Sequence, residues 1–203
     1  IPPAGQRALG ETVFEDVRVA LTRTGVDPIP LCEAPDGQAA LDLMTERLFP
    51  DLDGVEDISL FVLDHEMVNA FALPGGIVVL MRGLIDAAES PEEVAAVYAH
   101  EVGHVVARDP SRIALRTAGS IGVMGLLLGD FAGGAVVLFL SNQLIQADYS
   151  QEAEAEADAF AHLSLLKADI RPDALAGFFE RAREAHGDAP GFIEHFMAPP
   201  SLG

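Results

Sequence analysis

Two histidines and a glutamate within five consecutive positions are the clearest candidates for chemistry in this chain. They are His100, Glu101 and His104, in the sequence HEVGH. Four residues make about one helical turn, so both imidazoles project from one helix face and can bind a single metal ion. Glu101 is offset by about 100°, where its carboxylate can accept a proton from water at the metal. This spacing predicts a zinc site with Glu101 as general base; the alternative is a pair of helical histidines with surface partners.

A catalytic zinc ion needs a third protein ligand. A third histidine in the pattern HExxHxxGxxH is excluded, because Ala107 and Pro110 occupy the decisive positions. The remaining kind of ligand is a glutamate from a later helix. The segment 149–166, YSQEAEAEADAFAHLSLL, offers three glutamates, at positions 152, 154 and 156.

Helical periodicity separates these three glutamates. At 3.6 residues per turn, Glu154 and Asp158 share a face with small alanines, whereas Glu152 and Glu156 point nearly the opposite way. The alanines permit close approach to another helix, which a shared metal requires. We therefore assign Glu154 as the third ligand and Asp158 as the acceptor that fixes a histidine tautomer. Glu152 and Glu156 fit a solvated acidic face.

The HExxH motif is predicted to lie on a helix over 90–108. Ser90 can cap its N-terminus with Glu93 three residues later, and Pro91 fits the first helical position. The helix should end before Asp109, which precedes a proline. Local chemistry thus sets both ends of the helix that carries the candidate site.

Strand patterns precede that helix, over 58–63, 68–73 and 77–81, with Pro-Gly-Gly as the last turn. The expected fold class is α+β, a mainly helical domain with a small, about three-stranded antiparallel sheet beside the HExxH helix. Asn69, Ala70 and Phe71 lie in the strand that we choose as the sheet edge, where an extended polypeptide can pair as a further strand. An ordinary structural hairpin is the alternative.

The rest of the chain suggests two regions within one compact unit. Residues 1–57 are predicted to be a helical lead-in packed on the core, with helices over 11–22 and 38–48 joined by a proline-rich connector. Residues 58–203 are predicted to form the catalytic domain. A length of 203 residues suits one domain of ordinary core size.

Composition limits the partners. The chain has 12 Lys+Arg against 32 Asp+Glu, a net charge of -20 at pH 7, and no basic stripe for a phosphate backbone, so nucleic acid is not expected. An anionic lipid surface would be repelled, and any membrane contact must be apolar. The single Cys32 excludes internal disulfides and a cysteine zinc site. The start at Ile1, without a signal-peptide pattern, predicts a mature or trimmed form.

The segment 118–147 is apolar and rich in glycine, with Asp130 as its one charged residue. Its two uncharged arms are shorter than the about 20 residues needed to span a bilayer, so a transmembrane hairpin is disfavoured. The glycine spacing allows a tightly packed buried hairpin. The other open interpretation is a surface that contacts a membrane or a partner.

Three motifs in order carry a family resemblance: NAFALPGG at 69–76, HEVGH at 100–104 and SQEAEAEAD at 150–158. Residues 58–166 resemble the gluzincin zinc metallopeptidases that include HtpX and the CaaX prenyl proteases, most of all the soluble periplasmic branch typified by BepA. The resemblance implies one zinc ion bound by His100, His104 and Glu154, with Glu101 as general base and Asp158 supporting the site. It also implies endopeptidase activity on polypeptides in protein quality control of the bacterial cell envelope, periplasmic or membrane-associated.

This chain departs from the family pattern at three places. Gln151 stands where the family usually has Arg, which removes one electrostatic support of the ligand helix. Asp109 stands where His is common, and we expect this change to affect a structural contact more than catalysis. The family's Ser-Thr-His-Pro segment, whose His approaches the zinc or stabilises the oxyanion, is matched by 197–200 without a His. His195, four positions earlier, is the candidate substitute for this oxyanion or zinc-gating role.

The sequence therefore predicts a zinc endopeptidase that cleaves extended or unfolded polypeptides. The alternative, from a different class, is a zinc-binding assembly or chaperone factor that holds client proteins without turnover. It draws on the missing C-terminal histidine and on the apolar segment 118–147.

Overall fold

The fold is that of a computed structural model, which describes residues 2–22, 28–54, 57–128, 133–145 and 149–186. Within these residues the chain forms eight helices and a three-stranded sheet, so the predicted α+β, mainly helical fold is confirmed. The helices are α1 (Pro3–Ala20), α2 (Pro35–Leu48), α3 (Arg82–Ala87), α4 (Pro91–Ala107), α5 (Asp109–Leu128), α6 (Gly133–Ile145), α7 (Gln151–Lys167) and α8 (Asp173–His186). The strands are β1 (Ser59–Leu63), β2 (Ala70–Leu73) and β3 (Ile77–Met81).

The sheet has the order β1-β3-β2 and is mixed, not antiparallel as predicted. β2 and β3 form the expected antiparallel hairpin, but β1 pairs with β3 in parallel, with Ser59 opposite Ile77 and Leu63 opposite Met81. The residues between β1 and β2 cross the end of β3, so that the two outer strands flank the third. Strand patterns do not specify which edge the next strand joins, and the prediction of pairing direction was wrong for this reason.

Helices cover both faces of the sheet, because alternate residues of β3 are buried on opposite sides. Ile77, Val79 and Met81 pack with apolar residues of α1 and α6. Val78 packs instead with α4 and α7, and Leu80 with α4 and α8. The α4 helix is thus fixed against the sheet, which is what holds its two histidines in place.

The helices α4 and α7 pack closely against each other, and a glycine in α4 allows their backbones to approach. A Cβ atom at Gly103 would lie 2.9 Å from Ala157 Cα and 3.1 Å from Ala157 O. Ser150 caps the start of α7 by accepting a hydrogen bond from the backbone N–H of Ala153. Small residues on both helices therefore bring the start of α7 directly onto the HExxH motif.

Gly103→Ala is expected to destabilise the protein, although alanine favours helices by up to about 1 kcal/mol. The added methyl group would meet backbone atoms that cannot rotate away, and overpacking of this kind costs about 1–3 kcal/mol. The matched control is Gly177→Ala in α8, whose Cβ would make only an ordinary 3.7 Å contact with the flexible Arg181 side chain. Urea unfolding of both variants provides the measurement. Equal stabilisation by both substitutions would contradict the tight α4–α7 contact.

The junction between α4 and α5 is a sharp turn at one residue. Arg108 has φ 60°, a left-handed conformation that ends α4, and its N–H donates to the carbonyls of His104 and Val105. The next helix begins at once with Asp109 and Pro110, residues suited to a helix N-terminus. The turn places the first residue of α5 back against the last turn of α4.

Parts of the apolar segment 118–147 belong to α5 and α6, and Leu140 and Leu144 of α6 are buried in the core. None of the helices in the described ranges has both the length and the apolar character that a bilayer span requires. Contact of this segment with a membrane or partner stays a prediction, as does the division of the chain at residues 57 and 58.

Candidate metal centre

The α4 helix presents His100, Glu101 and His104 in the protein interior, all with 1% exposure or less. The Nε2 atoms of the two histidines are 3.1 Å apart. Their rings meet edge to face, with centroids 4.8 Å apart. The one-turn spacing therefore aims two imidazole nitrogens at one point.

Glu154, in the first turn of α7, brings a carboxylate to the same point. Its Oε2 lies 3.4 Å from His100 Nε2, and its Oε1 lies 3.8 Å from His104 Nε2. Ligand atoms of these three residues all lie within 4.8 Å of one another. The other two candidate glutamates of α7, at 152 and 156, are exposed.

This donor set fits zinc. Two imidazole nitrogens and one carboxylate oxygen are the ligand types of catalytic zinc sites, and donors on a tetrahedral zinc ion lie about 3.3–3.6 Å apart. The separations of 3.1, 3.4 and 3.8 Å are close to this range. A fourth position, not supplied by the three residues, is what a catalytic site keeps for water or substrate.

Each histidine has a carboxylate on its other nitrogen. Asp158 Oδ1 lies 2.9 Å from His100 Nδ1. Asp109 Oδ2 lies 3.0 Å from His104 Nδ1, and Asp109 Oδ1 accepts a hydrogen bond from Arg112 at 2.9 Å. We did not predict a role for Asp109 at the site from the sequence. The sequence feature that could have indicated this role is that Asp109 is acidic and begins α5 directly after α4, the helix that carries the HExxH motif.

The two histidines differ in their affinity for a proton. Burial acts to lower the pKa of His100, but the hydrogen bonds to Asp158 and Glu154 and the charges of Glu101 and Glu154 raise it to about 9. Burial and the positive charge of His100 lower the pKa of His104 to about 4, against the opposing effect of Asp109. Binding of a metal at Nε2 of His100 therefore competes with a proton.

Glu101 is fully buried, and its environment suits a general base. Burial raises the pKa of its carboxyl group to about 7, and the charge of Glu154 adds to this effect. His100 and a hydrogen bond from the backbone N–H of Ala72 act in the opposite direction. A carboxylate with a pKa near neutrality can both take up and return a proton at physiological pH.

Tyr149 is a further neighbour of the site that the sequence did not reveal. Its ring stacks on that of His104, with centroids 4.0 Å apart and an angle of 20° between the planes. Burial, together with the negative charges of Glu101, Asp109 and Glu154, raises the pKa of its hydroxyl group well above the usual value. The ring holds one face of the His104 imidazole.

The predicted substrate-binding residues lie beside the site, at the outer strand β2. Asn69 and Phe71 are each 3% exposed and Ala70 1%. Asn69 Oδ1 accepts a hydrogen bond from the Ala70 N–H at 2.9 Å, while Phe71 packs with Leu144 of α6 in the core. The Phe71 side chain is therefore part of the core. The remaining candidate, His195, lies outside the described residues.

Comparison with known proteins agrees with this geometry. The sequence model of peptidase family M48 matches residues 38–201. Similar proteins include the mitochondrial metalloendopeptidase OMA1 of Arabidopsis thaliana, 33% identical over 65% of this chain, and the metalloprotease LoiP of Escherichia coli, 33% identical over 56%. A putative beta-barrel assembly-enhancing protease of Vibrio cholerae is 29% identical over 87%. The matches cover 27%, 47% and 38% of these three relatives, so this chain spans less than half of their length.

Proposed function

This chain belongs to peptidase family M48, and we propose that it is a zinc-dependent metalloendopeptidase that hydrolyses peptide bonds of unfolded or misassembled proteins. The observation that carries the proposal is the buried cluster of His100, His104 and Glu154, with the buried Glu101 on the same helix. Burying four ionisable groups together costs free energy. Such clusters are typical of functional sites, and a purely structural pair of helices would gain nothing from one.

In the proposed mechanism His100, His104 and Glu154 would hold the zinc ion. When bound, zinc supplies Lewis acidity that activates water and polarises the scissile carbonyl group. Glu101 takes the proton from the attacking water and later delivers it to the leaving amine. Burial keeps bulk water away from the Glu101 carboxylate.

Extended polypeptide is the substrate class that we propose. β2 pairs with β3 through one edge, and its other edge approaches the site, since the backbone of Ala72 in β2 is close enough to Glu101 to lower the pKa of its carboxyl group. An added substrate strand along Asn69, Ala70 and Phe71 would bring a peptide bond to the metal. For a substrate strand to pair there, the hydrogen bond from the Ala70 N–H to Asn69 Oδ1 would have to break. Only a chain without stable structure of its own can enter in this form.

We place this activity in the bacterial cell envelope, periplasmic or membrane-associated, in protein quality control. The support is the similarity to proteins named beta-barrel assembly-enhancing protease, among them that of Vibrio cholerae. Misassembled envelope proteins would be its substrates.

Metal removal tests the proposal. Protein as purified should contain about one zinc ion per chain, and treatment with a strong chelator should abolish cleavage of unfolded casein. Zinc added back in stoichiometric amount should restore cleavage. Metal analysis and a gel-based cleavage assay provide the measurements. A protein that binds zinc but never cleaves would favour the client-holding alternative, and one that binds no zinc would overturn the site.

A further inference from the structure

We propose that Asp109 is a positioning residue for His104, and that it contributes more to metal affinity than Asp158, the corresponding partner of His100. This inference rests on the proposed function, since it assumes that His104 binds zinc.

The backbone explains why Asp109 can reach His104. Arg108 adopts the left-handed conformation with φ 60°, which ends α4 and changes the chain direction before α5. Asp109 follows immediately and is 4% exposed, although it is an acidic residue at the first position of a helix. A carboxylate in that position would ordinarily lie in water, and its burial here is explained by the two hydrogen bonds that it makes.

The hydrogen bonds define which nitrogen of His104 is available to metal. Nε2 of His104 faces His100 and Glu154, whereas Nδ1 faces Asp109 at 3.0 Å. A carboxylate accepts hydrogen bonds, so the proton of the neutral imidazole is held on Nδ1 and the lone pair remains on Nε2. The negative charge also increases the basicity of the ligating nitrogen.

The carboxylate of Asp109 has a second hydrogen-bond partner besides His104. Its other oxygen accepts a hydrogen bond from Arg112 at 2.9 Å, one helical turn along α5. Tyr149 stacks on the face of the same imidazole. His104 is thus constrained along its Nδ1 edge and on one face.

Solvent exposure predicts which aspartate matters more. The side chain of Asp158 is 63% exposed, while that of Asp109 is 5% exposed. Water and salt weaken the hydrogen bond of Asp158 to His100, but they have little access to the bond between Asp109 and His104. Loss of the Asp109 charge would leave the buried N–H of His104 with a weaker, neutral acceptor.

The experiment compares the same substitution at the two positions. Asp109→Asn and Asp158→Asn each remove one charge with little change in shape, and zinc affinity is measured by competition with a chelator. We expect Asp109→Asn to weaken zinc binding by about 10- to 100-fold and Asp158→Asn by less. The visible absorption of the cobalt-substituted protein should shift more for Asp109→Asn. Unfolding of the metal-free variants separates these effects from a loss of fold.

A measurement on the unaltered protein keeps the proposal testable if Asp109→Asn does not fold. Nitrogen-15 NMR of the zinc-loaded wild type should show His104 protonated at Nδ1, with that proton exchanging with water more slowly than the one on His100. Protonation of His104 at Nε2, or faster exchange at His104, would overturn the inference.

The outcomes for affinity are equally distinct. If Asp109→Asn binds zinc as tightly as the wild type, or if Asp158→Asn has the larger effect, the inference is wrong while the peptidase proposal stands. If the wild type binds no zinc, the proposed function fails and the inference fails with it.

Discussion

Replacing Glu101 with glutamine is expected to lower kcat for peptide hydrolysis by about 10²–10⁴-fold while zinc stays bound. Glutamine has nearly the same shape, so it fits the fully buried position of Glu101, but it cannot accept the proton of the attacking water. The three groups that hold the metal are unchanged. Steady-state cleavage of an unfolded substrate, combined with metal analysis of the same sample, measures both effects.

The matched control for this variant is Glu156→Gln, since Glu156 is exposed on the opposite face of α7 from Glu154. It should cleave at the wild-type rate. Undiminished cleavage by Glu101→Gln would show that another group acts as the base. Loss of zinc from that variant would mean that Glu101 helps to hold the metal.

Replacing Glu154 with alanine is expected to remove zinc and, with it, activity. Glu154 supplies the only carboxylate of the three-residue cluster and the only contribution from α7. Changing a residue that merely supports a ligand lowers metal affinity by about 10–100-fold, so the loss of a ligand should exceed that range. Zinc affinity by chelator competition and cleavage by the zinc-saturated variant provide the two measurements.

Glu156→Ala makes the same chemical change two residues away on the exposed face of α7. It alters helix propensity and net charge equally, but it should retain zinc and activity. If Glu154→Ala kept zinc as tightly as this control, Glu154 could not be a ligand, and the third ligand would have to be sought elsewhere.

The relative positions of the candidate site residues could be predicted from the sequence because they depend on local geometry. The one-turn spacing of His100 and His104 and the helical phase of Glu154 and Asp158 follow from 3.6 residues per turn. In the structure Glu154 is buried beside the histidines, while its neighbours at 152 and 156 are exposed. The match to peptidase family M48 confirms the resemblance inferred from the three motifs.

Features that depend on tertiary packing could not be predicted in this way. The parallel pairing of β1 with β3 depends on the path of the chain across the sheet end. Asp109 reaches His104 because one residue, Arg108, turns the backbone back on itself, and no periodicity signals such a turn. The stacking of Tyr149 on His104 likewise requires the position of α7 relative to α4.

The candidate metal ligands lie far apart along the chain, although they meet in space. His104 and Glu154 lie at the two ends of a segment that contains α5 and α6, so an ion bound by both would close this segment into a loop of about 50 residues. The entropy of closing a flexible loop grows only slowly with its length, by about 0.6 kcal/mol for each doubling. The length of the segment between the two ligand helices therefore has little effect on the entropic part of the free energy of assembling the metal centre.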